Sequence, residues 1–270
     1  MITKNSPIGV MDSGVGGISV LRVLRKQLPD ENYIFYGDSG NAPYGEKDDD
    51  TIRALSERVM LHLKAQGAKA VIIACNTATS VAAGYLREKY PDDIIIGMEP
   101  AVKPAVSSAD IDHPTVLVLA TAVTLKGEKL HELIGRFADG ADIRALAAPG
   151  IVRLVEAGKA DSPEMLSYLT DLLRDYRKQE DGSIPTRIHS LVLGCTHFPF
   201  AKKRIREALG YEVDFYDGAA GTVRETAHRL RKAGLLNDSA LPGTVSLDTS
   251  SPAADPAALA RLLLEIPEDS

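Results

Sequence analysis

The sequence predicts an α/β fold in which short parallel strands alternate with helices and are shared between two domains. Nine short runs rich in Val, Ile and Leu are continuous rather than alternating, which suits strands covered on both faces. Amphipathic stretches separate most of these runs, so consecutive strands are joined by crossovers and pair in parallel. Nine strands are many for one sheet, and a chain of 270 residues is long enough for two domains.

In chain order, the first strand is Ile8–Met11, closed by the glycine-rich turn Asp12–Gly17 and followed by a helix over Ile18–Gln27. The second strand, Tyr33–Tyr36, leads into a loop containing Pro43-Tyr44-Gly45. A helix over Asp49–Gln66 follows, with one apolar stripe at Ile52, Leu55, Val59 and Leu63. The acidic run Asp48–Asp50 suits its positive N-terminal end. Next come a strand over Ala70–Ala74, a helix over Ala78–Lys89 and a strand over Ile94–Met98. Val116–Ala120 reads as a strand and Thr124–Phe137 as a helix, with Thr124 a candidate N-cap. Ile143–Ala147 is a strand, Ile151–Ala157 a short helix and Ser162–Lys178 a longer one. A polar surface loop around Gly182 spans 178–185. The chain then reads as strand Leu191–Leu193, helix Phe200–Ala208, strand Val213–Tyr216, helix Gly221–Ala233 and strand Val245–Leu247. A Ser/Ala/Pro-rich tail, Thr249–Pro256, precedes a last short helix, and Pro267–Ser270 is expected to fray.

Composition narrows the function classes. The chain has 31 Lys and Arg against 37 Asp and Glu, a net charge of −6. It therefore lacks a broad basic footprint for nucleic acid or for an anionic membrane surface. No window reaches the roughly 20 apolar residues of a membrane span, and the N-terminus carries no signal-peptide pattern. Two cysteines do not make a disulfide framework, so a reducing compartment, the cytoplasm, is expected.

Those two cysteines occupy equivalent places. Val71-Ile-Ile-Ala-Cys75-Asn-Thr77 echoes Leu191-Val-Leu-Gly-Cys195-Thr-His197: an apolar strand ends in Cys, small polar residues follow, then a helix. Strand C-termini facing helix N-termini are where α/β sheets bind ligands. A helix N-terminus also favours the thiolate, and His197 stands close enough to Cys195 to assist it. A lone cysteine in such a place is usually a small buried hydrophobe. The shared context and the polar Asn76, Thr77, Thr196 and His197 favour functional thiols instead.

Asp12-Ser13-Gly14-Val15-Gly16-Gly17 invites a dinucleotide reading, with Asp38 as the ribose acid, but the third glycine of that fingerprint falls at Ser19. A single short nest fits a carboxylate better than a pyrophosphate. Thr121 and Thr124 bracket the end of the fifth strand, as caps or as substrate contacts. Glu156, with Arg153 and Lys159 nearby, reads by itself as a solvated helix acid. No metal-ligand spacing, GxSxG elbow or phosphate loop is present, so no metal is expected. The remaining histidines, His62, His113, His131, His189 and His228, read as surface or capping residues.

Taken together and in order, four motifs resemble the glutamate racemases, a family of cofactor-independent amino-acid racemases. They are Gly9-Val-Met-Asp-Ser-Gly-Val-Gly-Gly17, Tyr36-Gly-Asp-Ser-Gly-Asn-Ala-Pro-Tyr-Gly45, Ala74-Cys-Asn-Thr77 and Leu193-Gly-Cys-Thr-His-Phe-Pro199. Pro149-Gly150 and Leu154-Val-Glu156 extend the resemblance, which spans about residues 8–220. It implies two similar α/β domains with the active site in the cleft between them. One domain comprises 1–98 with 210–270 and carries Asp12 and Cys75. The other comprises 99–209 and carries Glu156, Cys195 and His197. The resemblance implies that Cys75 takes the Cα proton from D-glutamate and Cys195 from L-glutamate, with Asp12 supporting the first and His197 and Glu156 the second. Ser13, Tyr44, Gly45, Asn76, Thr77, Thr121, Thr124 and Thr196 match substrate-contact positions. Asp38 is similar to an acid that holds the Pro43–Gly45 loop. No cofactor is implied. The product would be D-glutamate for peptidoglycan, and the family is often dimeric. Three positions depart from the pattern: Ala148 where the family has a non-catalytic Cys, Lys126 at a usually small position, and Ser39 where Thr is frequent.

The alternatives are an aspartate or hydantoin racemase or a maleate isomerase of the same superfamily, a non-catalytic acidic-amino-acid binding protein, and a dinucleotide oxidoreductase. The Asp-Ser-Gly-x-Gly-Gly and Pro-Tyr-Gly motifs are those of the glutamate branch.

Overall fold

In the computed structural model, residues 2–108, 111–239, 241–253 and 257–266 are described; the expected fraying of 267–270 lies outside them. All nine predicted strands form: β1 (Ile8–Asp12), β2 (Tyr33–Gly37), β3 (Ala70–Ile73), β4 (Ile95–Gly97), β5 (Thr115–Ala120), β6 (Asp142–Ala147), β7 (Ser190–Leu193), β8 (Asp214–Asp217) and β9 (Val245–Thr249). The α-helices are α1 (Ile18–Gln27), α2 (Asp49–Ala65), α3 (Asn76–Lys89), α4 (Val102–Ser107), α5 (Ala122–Lys126), α6 (Glu128–Gly135), α7 (Pro149–Glu156), α8 (Pro163–Leu172), α9 (Lys202–Leu209), α10 (Ala219–Lys232) and α11 (Ala258–Glu265).

The chain divides into two compact units, residues 1–99 with 218–266 and residues 100–217. The first holds an all-parallel sheet in the order β4-β3-β1-β2-β9, with Ile8 opposite Tyr33 and Ala70. Strands β1 and β3 are buried along their whole length, as their unbroken apolar runs require. Edge strand β9 buries only alternate residues partially. The second unit holds an all-parallel sheet in the order β6-β5-β7-β8. Its core joins Val116 and Val118 of β5 and Val192 of β7 to Val102, Ala105, Leu130 and Ala141.

The expected border at 209/210 moves. β8 pairs with β7, with Leu191 opposite Phe215, so the second unit runs to Asp217. Its hydrogen bonds are satisfied only beside β7, and this outweighs its sequence proximity to the C-terminal segment. The chain re-enters the first unit at Gly218, where any Cβ would collide with the Glu99 carbonyl oxygen and the Met98 side chain. Only glycine lets the two passing segments lie this close.

Other differences are local. The stretch predicted as one helix over 124–137 breaks into α5 and α6 at Gly127, whose backbone is extended. Its cap is Thr121 rather than Thr124: Thr121 Oγ1 accepts from the Thr124 N–H at 3.2 Å. The helix predicted to Lys178 ends at Leu172. Helix α4 has no sequence signal, being six residues long with a proline inside. The acidic run before α2 caps it as expected, with Asp48 Oδ1 accepting from the Thr51 N–H at 2.8 Å.

At the N-terminal ends of the first sheet, Lys69 and Glu31 form an ion pair at 2.5 Å with both side chains essentially unexposed. Lys69 also donates to the Lys4 carbonyl, and Glu31 Oε1 accepts from the Asn237 N–H at 2.8 Å. The pair thereby ties the starts of β2 and β3 to the N-terminal arm and to the segment after α10.

Candidate active site

Most predicted site residues follow the C-terminal ends of the strands of their own unit, while Glu156 ends helix α7 and Tyr44 and Gly45 lie in the loop after β2. In the first unit Asp12 ends β1, fully buried, and its Oδ2 accepts from the Gly14 N–H at 3.0 Å. A Cβ on Gly17 would come within 2.6 Å of Asp12 Cβ, so the glycine at the start of α1 is a packing requirement. Cys75 follows β3 and N-caps α3: its Sγ accepts from the Ala78 N–H at 3.4 Å. Its thiol lies 3.5 Å from Ser13 Oγ. Backbone amide and helix dipole together favour the thiolate here. Asn76 and Thr77 open α3 and are buried. The Asn76 side-chain oxygen and nitrogen are both buried and hydrogen-bond no protein atom, an arrangement that native interiors rarely tolerate without a partner.

The loop after β2 folds as two 3-10 turns, Ser39–Asn41 and Tyr44–Glu46, joined through a cis Ala42–Pro43 bond. Tyr44 is buried and donates its hydroxyl to Asp38 Oδ2 at 2.7 Å, with Gly45 beside it in the turn. Burial, and then the Asp38 carboxylate, push the Tyr44 phenol well above its ordinary range. Asp38 also accepts from Asn41 Nδ2 at 2.9 Å and faces Arg58 of α2 at 3.1 Å. The expected loop-holding role of Asp38 thus has a geometry, in which Asn41 comes from inside the motif and Arg58 from outside it. A buried carboxylate calls for a cation, but spacing does not say which one.

In the second unit Thr121 and Thr124 sit at the end of β5, buried, and the Thr121 hydroxyl donates to Thr124 Oγ1 at 3.0 Å. On the neighbouring strand, the Gly194 N–H donates to the Leu119 carbonyl at 2.8 Å, and Cys195 follows. Cys195 Sγ lies 3.6 Å from His197 Nδ1, and Thr196 Oγ1 lies 3.5 Å from the same nitrogen. On the other side of the ring, His197 Nε2 is 2.6 Å from Glu156 Oε1, at the end of α7. Glu156 is therefore not the solvated helix acid that its local sequence suggests. Burial alone would push His197 down. The hydrogen bonds and charges of Cys195 and Glu156 outweigh it and hold the imidazole well above its ordinary value.

The two thiols differ in one respect the echo did not anticipate. Cys75 precedes a 14-residue α-helix, whereas Cys195 precedes a four-residue 3-10 turn, Phe198–Ala201. Helix polarity serves the first thiol, and a histidine–carboxylate pair serves the second. Both cysteines are buried, and neither is in a disulfide. Among the described residues, no three His, Cys, Asp or Glu side chains form a metal-binding group, and no helix is long and apolar enough to cross a membrane.

The Asp/Glu/Hydantoin racemase family matches residues 8–226. A glutamate racemase of Clostridium perfringens is 43% identical over 263 residues, 97% of this chain and 98% of that one. The crystal structure of a Francisella tularensis glutamate racemase with D-glutamate superposes with a TM-score of 0.78 at 26% identity, covering 97% and 95% of the two chains. An Escherichia coli glutamate racemase with L-glutamate and the activator UDP-MurNAc-Ala gives 0.75 at 31% identity, covering 96% and 92%.

Proposed function

The chain belongs to the Asp/Glu/Hydantoin racemase family and is an amino-acid racemase; from that premise we propose that it interconverts L- and D-glutamate with two cysteine thiols and no cofactor. The observation that carries this reading is the pair of buried thiols, each with its own hydrogen-bonding partners. Cys75 has the α3 amide and Ser13; Cys195 has His197 backed by Glu156.

The chemistry needs two such groups. One thiolate takes the Cα proton as base, and the other thiol gives a proton to the opposite face as acid, leaving the enantiomer and the two thiols in exchanged protonation states. Cys75 acts on D-glutamate and Cys195 on L-glutamate. The Cα–H is a very weak acid, so the developing charge on the substrate carboxylate must be met by hydrogen-bond donors. The backbone N–H groups of Ser13, after β1, and of Asn76, at the start of α3, supply donors of that kind. Asn76, Thr77, Tyr44, Gly45, Ser13, Thr121, Thr124 and Thr196 hold the substrate. The unpaired Asn76 amide supports this, because a polar ligand would complete its hydrogen bonds. Asp12 assists Cys75. The product is D-glutamate for peptidoglycan, made in the cytoplasm.

The test is incubation of the purified, reduced protein with L-glutamate in D₂O, followed by circular dichroism and Cα-proton NMR. Loss of optical activity with deuterium at Cα is expected. Exchange with aspartate but not glutamate would move the substrate and keep the mechanism. Exchange with neither would overturn the reading.

A further inference from the structure

Asp38 is the hinge of the loop that carries Tyr44. Its backbone N–H donates to the Asp12 carbonyl at 2.9 Å, which fixes it at the end of the sheet. Its side chain is 0% exposed, and both oxygens are occupied, Oδ1 by Asn41 and Oδ2 by the Tyr44 hydroxyl. A carboxylate so buried requires a compensating cation. Arg58 supplies it from α2, the helix that follows the loop: its Nη2 lies 3.1 Å from each oxygen, while 56% of the arginine side chain stays exposed. The Tyr44 hydroxyl donates to this carboxylate, which thereby aims the ring, and the Arg58 guanidinium anchors the carboxylate from α2.

We propose that Arg58 is a positioning residue for the reaction: through Asp38 it fixes the Tyr44 hydroxyl and the Pro43–Gly45 turn against the substrate. This rests on the assignment of Tyr44 to substrate binding in the glutamate-racemase reading. Arg58 touches no reacting atom. It sets how well the loop is preformed, which is a property of binding rather than of proton transfer. One nitrogen makes both contacts, so the flat fork of arginine is not needed and an ammonium can substitute.

The test is steady-state racemisation of both glutamate enantiomers by wild type, Arg58→Gln, Arg58→Lys, Tyr44→Phe and the Arg58→Gln/Tyr44→Phe double variant, with a thermal melt of each. Arg58→Gln is expected to raise KM about tenfold and leave kcat within about threefold, the pattern of lost uniform binding. Arg58→Lys should keep KM within about threefold of wild type. In the Tyr44→Phe background the same Arg58→Gln change should shift KM by less than about twofold, because the two residues act in series. A lower melting temperature with KM unchanged in Arg58→Gln overturns the proposal, as does a full KM shift that persists without the Tyr44 hydroxyl. Arg58→Ala replaces Arg58→Gln if the glutamine variant does not fold. A wild type active on aspartate alone moves the substrate reading and leaves the same comparison to be made with aspartate. A wild type active on neither overturns both.

Discussion

His197 and Glu156 are joined at 2.6 Å through Nε2 and Oε1, across 41 positions of sequence. The carboxylate fixes the imidazole so that its other nitrogen faces Cys195. On the Cys75 side the thiol takes an N–H from the first turn of α3 and lies 3.5 Å from Ser13 Oγ.

This asymmetry has a kinetic signature. Enantiomers have an equilibrium constant of one, so any variant must lower kcat/KM equally from both. Glu156→Gln is expected to lower it about a hundredfold, by weakening one acid–base group. The step at Cys195 then becomes limiting. A large primary isotope effect is expected from Cα-deuterated L-glutamate and a small one from the D-enantiomer. The opposite pattern would assign Cys195 to D-glutamate.

Replacing either thiol by a hydroxyl removes an accessible base. Cys75→Ser and Cys195→Ser should each cut turnover by at least about a thousandfold with an unchanged melting curve. Near-normal turnover in either variant would end the two-thiol mechanism.

The pairing of His197 also makes stability depend on pH. Its folded value lies well above the ordinary 6.5 despite burial, because Cys195 and Glu156 favour the imidazolium. Such a group contributes fully below the unfolded value and loses its contribution as pH rises through the folded one. The difference in melting temperature between wild type and His197→Gln should therefore be largest below about pH 6.5 and shrink in more alkaline buffer. A difference that grows with pH would mean that the neutral ring is the paired form.

Asn76 tests the tension between folding and binding. Its buried, unpaired amide costs the ligand-free protein about 1–3 kcal/mol. Alanine removes that cost and suits the first turn of α3 better. Asn76→Ala should melt at the same or a higher temperature while KM for glutamate rises about tenfold. A clear drop in melting temperature with KM unchanged would make Asn76 a structural residue.

At the other end of the first sheet, Lys69→Met leaves the Glu31 carboxylate buried alone and should cost about 3–5 kcal/mol in urea unfolding. Burial pushes Lys69 down, and the hydrogen bond and charge of Glu31 oppose this. Adding Glu31→Leu should recover much of the loss. Turnover by the folded fraction should not change, since the thiols lie at the opposite strand ends.

The strands were legible because each central one is an unbroken apolar run, and the two cysteine sites because both follow such runs. Thr121 was harder: either threonine satisfies the capping pattern, and only the direction of the Thr124 N–H decides. Helix α4 was hidden because six residues with Pro104 show no period. The side of the border on which β8 falls depends on a strand pairing, which local sequence does not encode. Arg58 lies 20 positions from Asp38 on the exposed side of a helix. Nothing in its neighbourhood marks it, because the demand that it meets arises in another segment.

The discontinuity of the first unit has a consequence for biosynthesis. β9 lies against β2 more than 200 residues after it, in register from Tyr33–Val245 to Gly37–Thr249. The sheet that carries Asp12 and Cys75 therefore lacks an edge strand until almost the whole chain has left the ribosome. The segment 100–217 is contiguous and can close its own sheet earlier. The unit translated first is thus the last to be completed, and β2 must stay shielded from other chains during that interval.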